Sequence, residues 1–158
     1  MHSRNLALAC TLLALSVTGG WPVPASGQPG ASATDPERFI GAFRLVSYVT
    51  YDESGGATAT PYTEGVIMYS ASGRMGVHLM DPGHASREDG GYIAYFGGYE
   101  VDVDEGVVRH LIEGSLGGGA GQRTAVRHYR FEDGGDTLIL EVQRDDRVVG
   151  AVRWERHR

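Results

Sequence analysis

The sequence predicts an all-β domain: an eight-stranded up-and-down antiparallel barrel with at most one short helical turn at its N-terminal edge. Three observations carry that expectation. Eight runs with the two-residue alternation of strands follow one another between residues 42 and 156. Most are joined by short links rich in Gly, Asp and Ser, which suit antiparallel neighbours. No stretch has strand–helix–strand spacing, and consecutive antiparallel strands of this number close readily into a barrel without free edges. A two-sheet sandwich is the alternative.

The N-terminus reads as an export signal spanning residues 1–27. Arg4 marks a short charged region, and the apolar run 6–17 is too short to span a bilayer. Small-residue cleavage sites fit after Ala25, Gly27 or Ala33. Residues 28–37 read as a flexible linker and 38–157 as the barrel, which places the mature protein outside the cytoplasm, secreted or periplasmic. Asp35-Pro36-Glu37-Arg38-Phe39-Ile40 suits one helical turn, with Asp35 as its cap, Pro36 in first position, and Phe39 and Ile40 on the buried side.

The first strand covers about 42–51, with Phe43, Leu45 and Ser47 on one face and Arg44, Val46 and Tyr48 on the other. A loop follows to residue 64. Strands at about 66–69 and 74–80 form a hairpin about Ser70-Ala71-Ser72-Gly73. Met75, Val77 and Leu79 are its core face, which turns His78 outward. The 81–91 segment is a loop, and with the 52–64 loop it is the candidate mouth of the barrel.

Residues 92–115 organise the rest. They form two strands about the acidic turn Asp102 to Gly106, with Tyr95, Gly97, Tyr99 and Val101 facing Val108, His110 and Ile112. Glycines dominate 117–121, a flexible connection. Strands at about 123–132, 137–143 and 147–156 complete the set. In the first of these Arg127, Tyr129 and Phe131 alternate inward.

Composition excludes several function classes. Cys10 is the only cysteine and lies in the signal, so a mature chain has no disulfide, thiol nucleophile or cysteine metal site. All 14 basic residues are arginine, which excludes a Schiff-base lysine. The net charge is −6 with no basic stripe, which argues against nucleic acid. No apolar run beyond the signal is long enough for a membrane span. No His-x-His or His-Glu-x-x-His spacing occurs, so no metal is expected, and no motif points to a cofactor. Oligomeric state is not legible.

Gly41-Ala42-Phe43-Arg44-Leu45-Val46-Ser47-Tyr48 resembles the Gly-x-Trp-x-Leu-Val-Ser opening of the bacterial and fungal lipocalin-like domain family. The segment 92–101, then His110 with Glu113-Gly114-Ser115, resembles that family's most distinctive strands. Gly135-Asp136-x-Leu138 and Val152-x-Trp154-Glu155-Arg156 extend the likeness over about 39–157. The resemblance implies a calycin-type barrel around a small-molecule cavity, without fixing a reaction. Phe43 stands where the family has Trp; by analogy with lipocalins proper, Arg153 or Arg156 is expected to cover it by cation–π contact.

The inward polar residues on this register are Ser47, Tyr69, Tyr95, Tyr99, His110, Arg127 and Tyr129. A guanidinium inside an apolar barrel keeps its charge and must meet acceptors: tyrosine hydroxyls, a neutral His110, Glu113 near the rim, or a ligand. An internally satisfied network, ligand binding and catalysis all fit that set. For binding, the expected occupant is a small hydrophobic or amphipathic molecule. Phe43, Leu45, Val101, Ile112 and Phe131 would wall it, and Tyr99, His110 and Arg127 would orient its polar end. The alternative is a cofactor-free isomerase, cyclase or dehydratase acting on a polyketide-like molecule. There His110 is the best catalytic candidate, titrating near its ordinary value of about 6.5.

Overall fold

The computed structural model describes residues 35–84, 90–116 and 124–158. The export signal, most of the linker, the glycine-rich connection and the centre of the 81–91 loop lie outside the described residues. The elements are α1 (Asp35–Phe39), β1 (Gly41–Tyr51), β2 (Ala57–Ala59), β3 (Glu64–Tyr69), β4 (Arg74–Met80), β5 (Tyr92–Asp102), β6 (Val107–Leu116), β7 (Thr124–Glu132), β8 (Thr137–Arg144) and β9 (Arg147–Arg156). From β3 to β9 each strand pairs antiparallel with the next; β1 pairs with both β3 and β9 and closes the ring. The result is the expected eight-stranded lipocalin-like barrel. Among the described residues no helix is long and apolar enough to cross a membrane.

The 52–64 segment is not all loop. Ala57–Ala59 pairs with the far end of β1, Val49 opposite Ala59, as a short exposed ninth strand outside the ring. Residues 35–37, read as the end of the linker, belong to α1. Its Asp35 carboxylate accepts from Arg38 at 3.0 Å and from the Tyr129 hydroxyl at 2.9 Å, which ties the turn to β7. Phe39 is fully buried while Ile40 is exposed, so one residue of the expected pair enters the core.

That one residue closes the barrel's lower end. The Phe39 ring lies edge-on to Tyr69, Tyr129 and Phe131 at centroid distances of 5.0–5.1 Å, a preferred aromatic geometry. Beside it Phe43 is fully buried, and Arg156 covers its ring at 4.4 Å. Of the two candidate arginines, Arg153 instead pairs with Glu132 at 2.8 Å.

Three ladders carry a bulge, β8–β9 between Val142 and Gln143 among them, and the other two change which of the expected side chains reach the interior, since one extra residue reverses the alternation beyond it. In β1, Leu45 pairs with Trp154 but Ser47 with Arg153, so Val46 is the extra residue. Ser47 is therefore exposed, and Tyr48 turns inward, against the strict two-residue count. In β6, Gly97 pairs with Ile112 and Phe96 with Gly114, so Glu113 is extra. Its carboxylate meets Arg74 outside the barrel in a two-pronged pair at 2.5 and 2.6 Å, so Glu113 is no partner for Arg127.

Gly97 permits the second bulge. A Cβ there would stand 1.9 Å from the Leu111 carbonyl oxygen, closer than any side chain tolerates. Gly97→Ala is expected to cost about 1–3 kcal/mol, the range of an overpacked core, read as a lower urea midpoint. An unchanged midpoint would show that the bulge opens freely.

Candidate functional site

Above the aromatic plug the barrel keeps a cavity of about 240 Å³. Its apolar wall is built by Ile67, Val77, Leu79, Ile112, Leu140 and Val152, inward positions of β3, β4, β6, β8 and β9. The lining residues with polar side-chain groups are Tyr48, Tyr95, Ser115, Arg127 and Trp154. The volume sits just under the ~300–1,000 Å³ of drug-sized sites, so it suits a small molecule. At the upper end the two candidate mouth loops meet. Tyr62 stacks on Tyr48 at 6.2 Å, and its hydroxyl reaches the Gly90 carbonyl at 3.4 Å.

The cavity floor is a hydrogen-bonded chain. The His110 imidazole is fully buried, with Nε2 2.7 Å from the Tyr69 hydroxyl and Nδ1 3.0 Å from the Tyr95 hydroxyl. Burial, and then the nearby charge of Arg127, pushes its pKa down to about 3, so the ring is neutral at pH 7. A neutral imidazole offers one N–H and one lone pair. Tyr69 is 2% exposed and among the described residues its hydroxyl has only this partner, so a donated Nε2–H would strand the phenol proton. The network therefore assigns Tyr69 O–H as donor to Nε2 and Nδ1–H as donor to Tyr95.

Arg127 enters from the side. The β7–β8 ladder runs from Glu132 opposite Thr137 to His128 opposite Glu141 and stops there, although both strands continue. Arg127 and Val142 are the first residues past its end, and both line the cavity. The guanidinium donates from Nη1 to the Val126 carbonyl at 2.9 Å and makes no ion pair among the described residues. Burial raises the Tyr95 hydroxyl above the ordinary phenol range, while the charge of Arg127 and hydrogen bonding from it oppose the rise.

The seven residues picked from the sequence thus separate into four places. Tyr95 and Arg127 line the cavity. Tyr69 and His110 lie beneath it. Tyr99 and Tyr129 face the interior but belong to the plug: Tyr99 donates to the Ser70 carbonyl at 3.0 Å, and Tyr129 to Asp35. Ser47 points out. The expected convergence of Tyr99, His110 and Arg127 on one ligand end is corrected accordingly, and so is the expectation that His110 titrates near neutrality. Of the anticipated apolar wall only Ile112 lines the cavity, because Phe39 fills the end where Phe43 and Phe131 lie. His78 faces away from the core as expected, 2.8 Å from the Tyr92 hydroxyl.

Sequence reasoning missed Tyr48, Ser115 and Trp154. The first two follow from the bulges. For Trp154 the signal was present, since Gly150, Val152 and Trp154 alternate on one face of β9. In comparison with known proteins, no family model and no curated protein matches this chain, so the geometry of this cavity is what speaks to function.

Proposed function

We propose that the protein is an exported, lipocalin-like binding protein that holds a small, partly apolar, oxygen-bearing molecule in the barrel cavity. One observation supports this above the others: an apolar chamber of about 240 Å³ keeps in its wall an arginine that has no carboxylate partner among the described residues. A barrel under selection for packing alone fills such space and pairs such a charge. Export rests on the sequence of residues 1–27, and kinship with the lipocalin-like domain family on the motifs quoted above. The proton-transfer alternative loses its named base, because both His110 nitrogens are engaged and the ring stays neutral far below pH 7.

Native mass spectrometry of the purified protein, with extraction of any co-purifying molecule, tests the binding reading directly. A retained small molecule is expected in the wild type. It is expected to be lost in Ile112→Trp, which fills the chamber from β6. A protein that carries nothing and binds no member of a panel of small amphipathic compounds would leave the chamber a packing defect.

A further inference from the structure

We propose that the ligand is a small organic acid bound as its carboxylate anion, one oxygen held by the Arg127 guanidinium and the other by the Tyr95 hydroxyl. The inference rests on the binding reading above and names the chemical class that the same site selects.

The first argument is the direction of the hydrogen bonds. The Tyr95 oxygen accepts from His110 Nδ1–H at 3.0 Å, and Arg127 lines the same chamber. With the oxygen accepting, the phenol proton has no acceptor among the described residues and remains for another group. Arg127 can only donate. Trp154, 1% exposed and lining the same chamber, carries an indole N–H with no hydrogen-bond partner among the described residues. An orphaned buried donor is costly, and a ligand acceptor removes that cost. Tyr48 and Ser115 contribute hydroxyls that adapt either way. None of the described lining residues is Asp, Glu, Asn or Gln. The chamber therefore favours acceptors: Arg127 and Trp154 only donate, and among the described lining side chains only hydroxyls are left to receive an N–H.

The second argument is charge. Most arginines among the described residues are paired: Arg38, Arg44, Arg74, Arg109, Arg130, Arg153, Arg156 and Arg158 each meet a carboxylate. The three without one are Arg127, Arg144 and Arg147, all on the β7–β9 side. Arg144 and Arg147 line a depression that shares Tyr48 and Val142 with the chamber and also contains Asp52 and Glu53. Arg147 is held by the Asp52 carbonyl at 3.3 Å. In a chain of net charge −6, cations left unpaired on one side and beside the chamber mark where an anion is favoured. A guanidinium and a phenol proton on neighbouring atoms match the two oxygens of a carboxylate.

Octanoate, 1-octanol and octylamine share one apolar body and differ in the head group, so they separate the claims. The full chain carrying Trp21→Phe leaves Trp154 as the single indole reporter inside the chamber. Its fluorescence is titrated with each compound at pH 7. Octanoate is expected to bind at least about 10-fold tighter than 1-octanol, and octylamine weakest. Arg127→Gln is expected to weaken octanoate by about 10- to 100-fold, the scale of a charged hydrogen bond, and 1-octanol by less than about 3-fold. Circular dichroism of that variant checks that the barrel is intact; the wild-type series decides the matter even if it is not. Equal affinity for acid and alcohol, or preference for the amine, overturns the acid assignment and leaves the binding reading standing. Binding of none of the three overturns both.

Discussion

Acidification from pH 7 to pH 4.5 is expected to remove about 3 kcal/mol from the folding free energy, and His110→Gln is expected to abolish most of that dependence. In the unfolded chain the imidazole takes up a proton below about pH 6.5. In the barrel it refuses one until about pH 3, because burial, reinforced by Arg127, disfavours the cation. The unfolded state therefore binds more protons across that window, so stability falls as pH falls, at about 1.4 kcal/mol per unit. The stabilisation is fully present above pH 6.5 and gone below pH 3. Asp52, Asp81, Asp102, Glu113 and Glu132, held below the usual carboxylate range by their hydrogen-bond partners, act in the same direction but at lower pH. Urea midpoints at pH 7, 6 and 5 therefore isolate the histidine. The variant starts lower, having lost its bonds to Tyr69 and Tyr95, but its curve is expected to be nearly flat there. Parallel slopes for the two proteins would mean that His110 is protonated in the fold.

How far the sequence reaches is visible at the bulges. Alternation counted from the turn at Asp102 to Gly106 places Tyr95, Gly97, Tyr99, Val101, Val108, His110 and Ile112 on the inner face, and the structure keeps them there. Beyond Ile112 the same count puts Ser115 outside, and beyond Leu45 it puts Ser47 inside; both are reversed by one unpaired residue. A bulge is a property of two strands together, of where Glu113 finds Arg74 and where Gly97 admits a carbonyl, so single-strand periodicity does not contain it. Depth is the second quantity that alternation lacks. Tyr99, Tyr95 and His110 share one face, yet Tyr99 ends on the Ser70 carbonyl in the plug, Tyr95 in the chamber, and His110 between them. What separates them is Phe39, a residue of the N-terminal turn that no strand count connects to the barrel interior.

Phe39→Ala is expected to cost about 3–5 kcal/mol, the usual range for emptying a fully buried aromatic site. The site has little means of collapsing. Tyr69 from β3 and Tyr129 and Phe131 from β7 meet the ring, both strands fixed by their ladders, and Tyr69 is further held by His110. The loss also uncouples α1, whose remaining described ties to the barrel include Asp35 to Tyr129 and the Arg38 guanidinium over Phe131 at 4.4 Å. Phe39→Leu keeps most of the apolar volume and is expected to cost roughly half as much, since part of the cavity and the edge-on ring contacts are lost. The chamber above responds differently. Because the Tyr69–His110–Tyr95 chain stands between plug and chamber, octanoate affinity at pH 7 is expected to stay within about 3-fold of wild type in Phe39→Leu, where the barrel remains folded. Chemical denaturation and the Trp154 signal read the two quantities on one sample. A cost below about 1 kcal/mol for the alanine variant would show that α1 rests on the barrel without closing it. A stable leucine variant that loses binding would show that the floor yields when the plug moves.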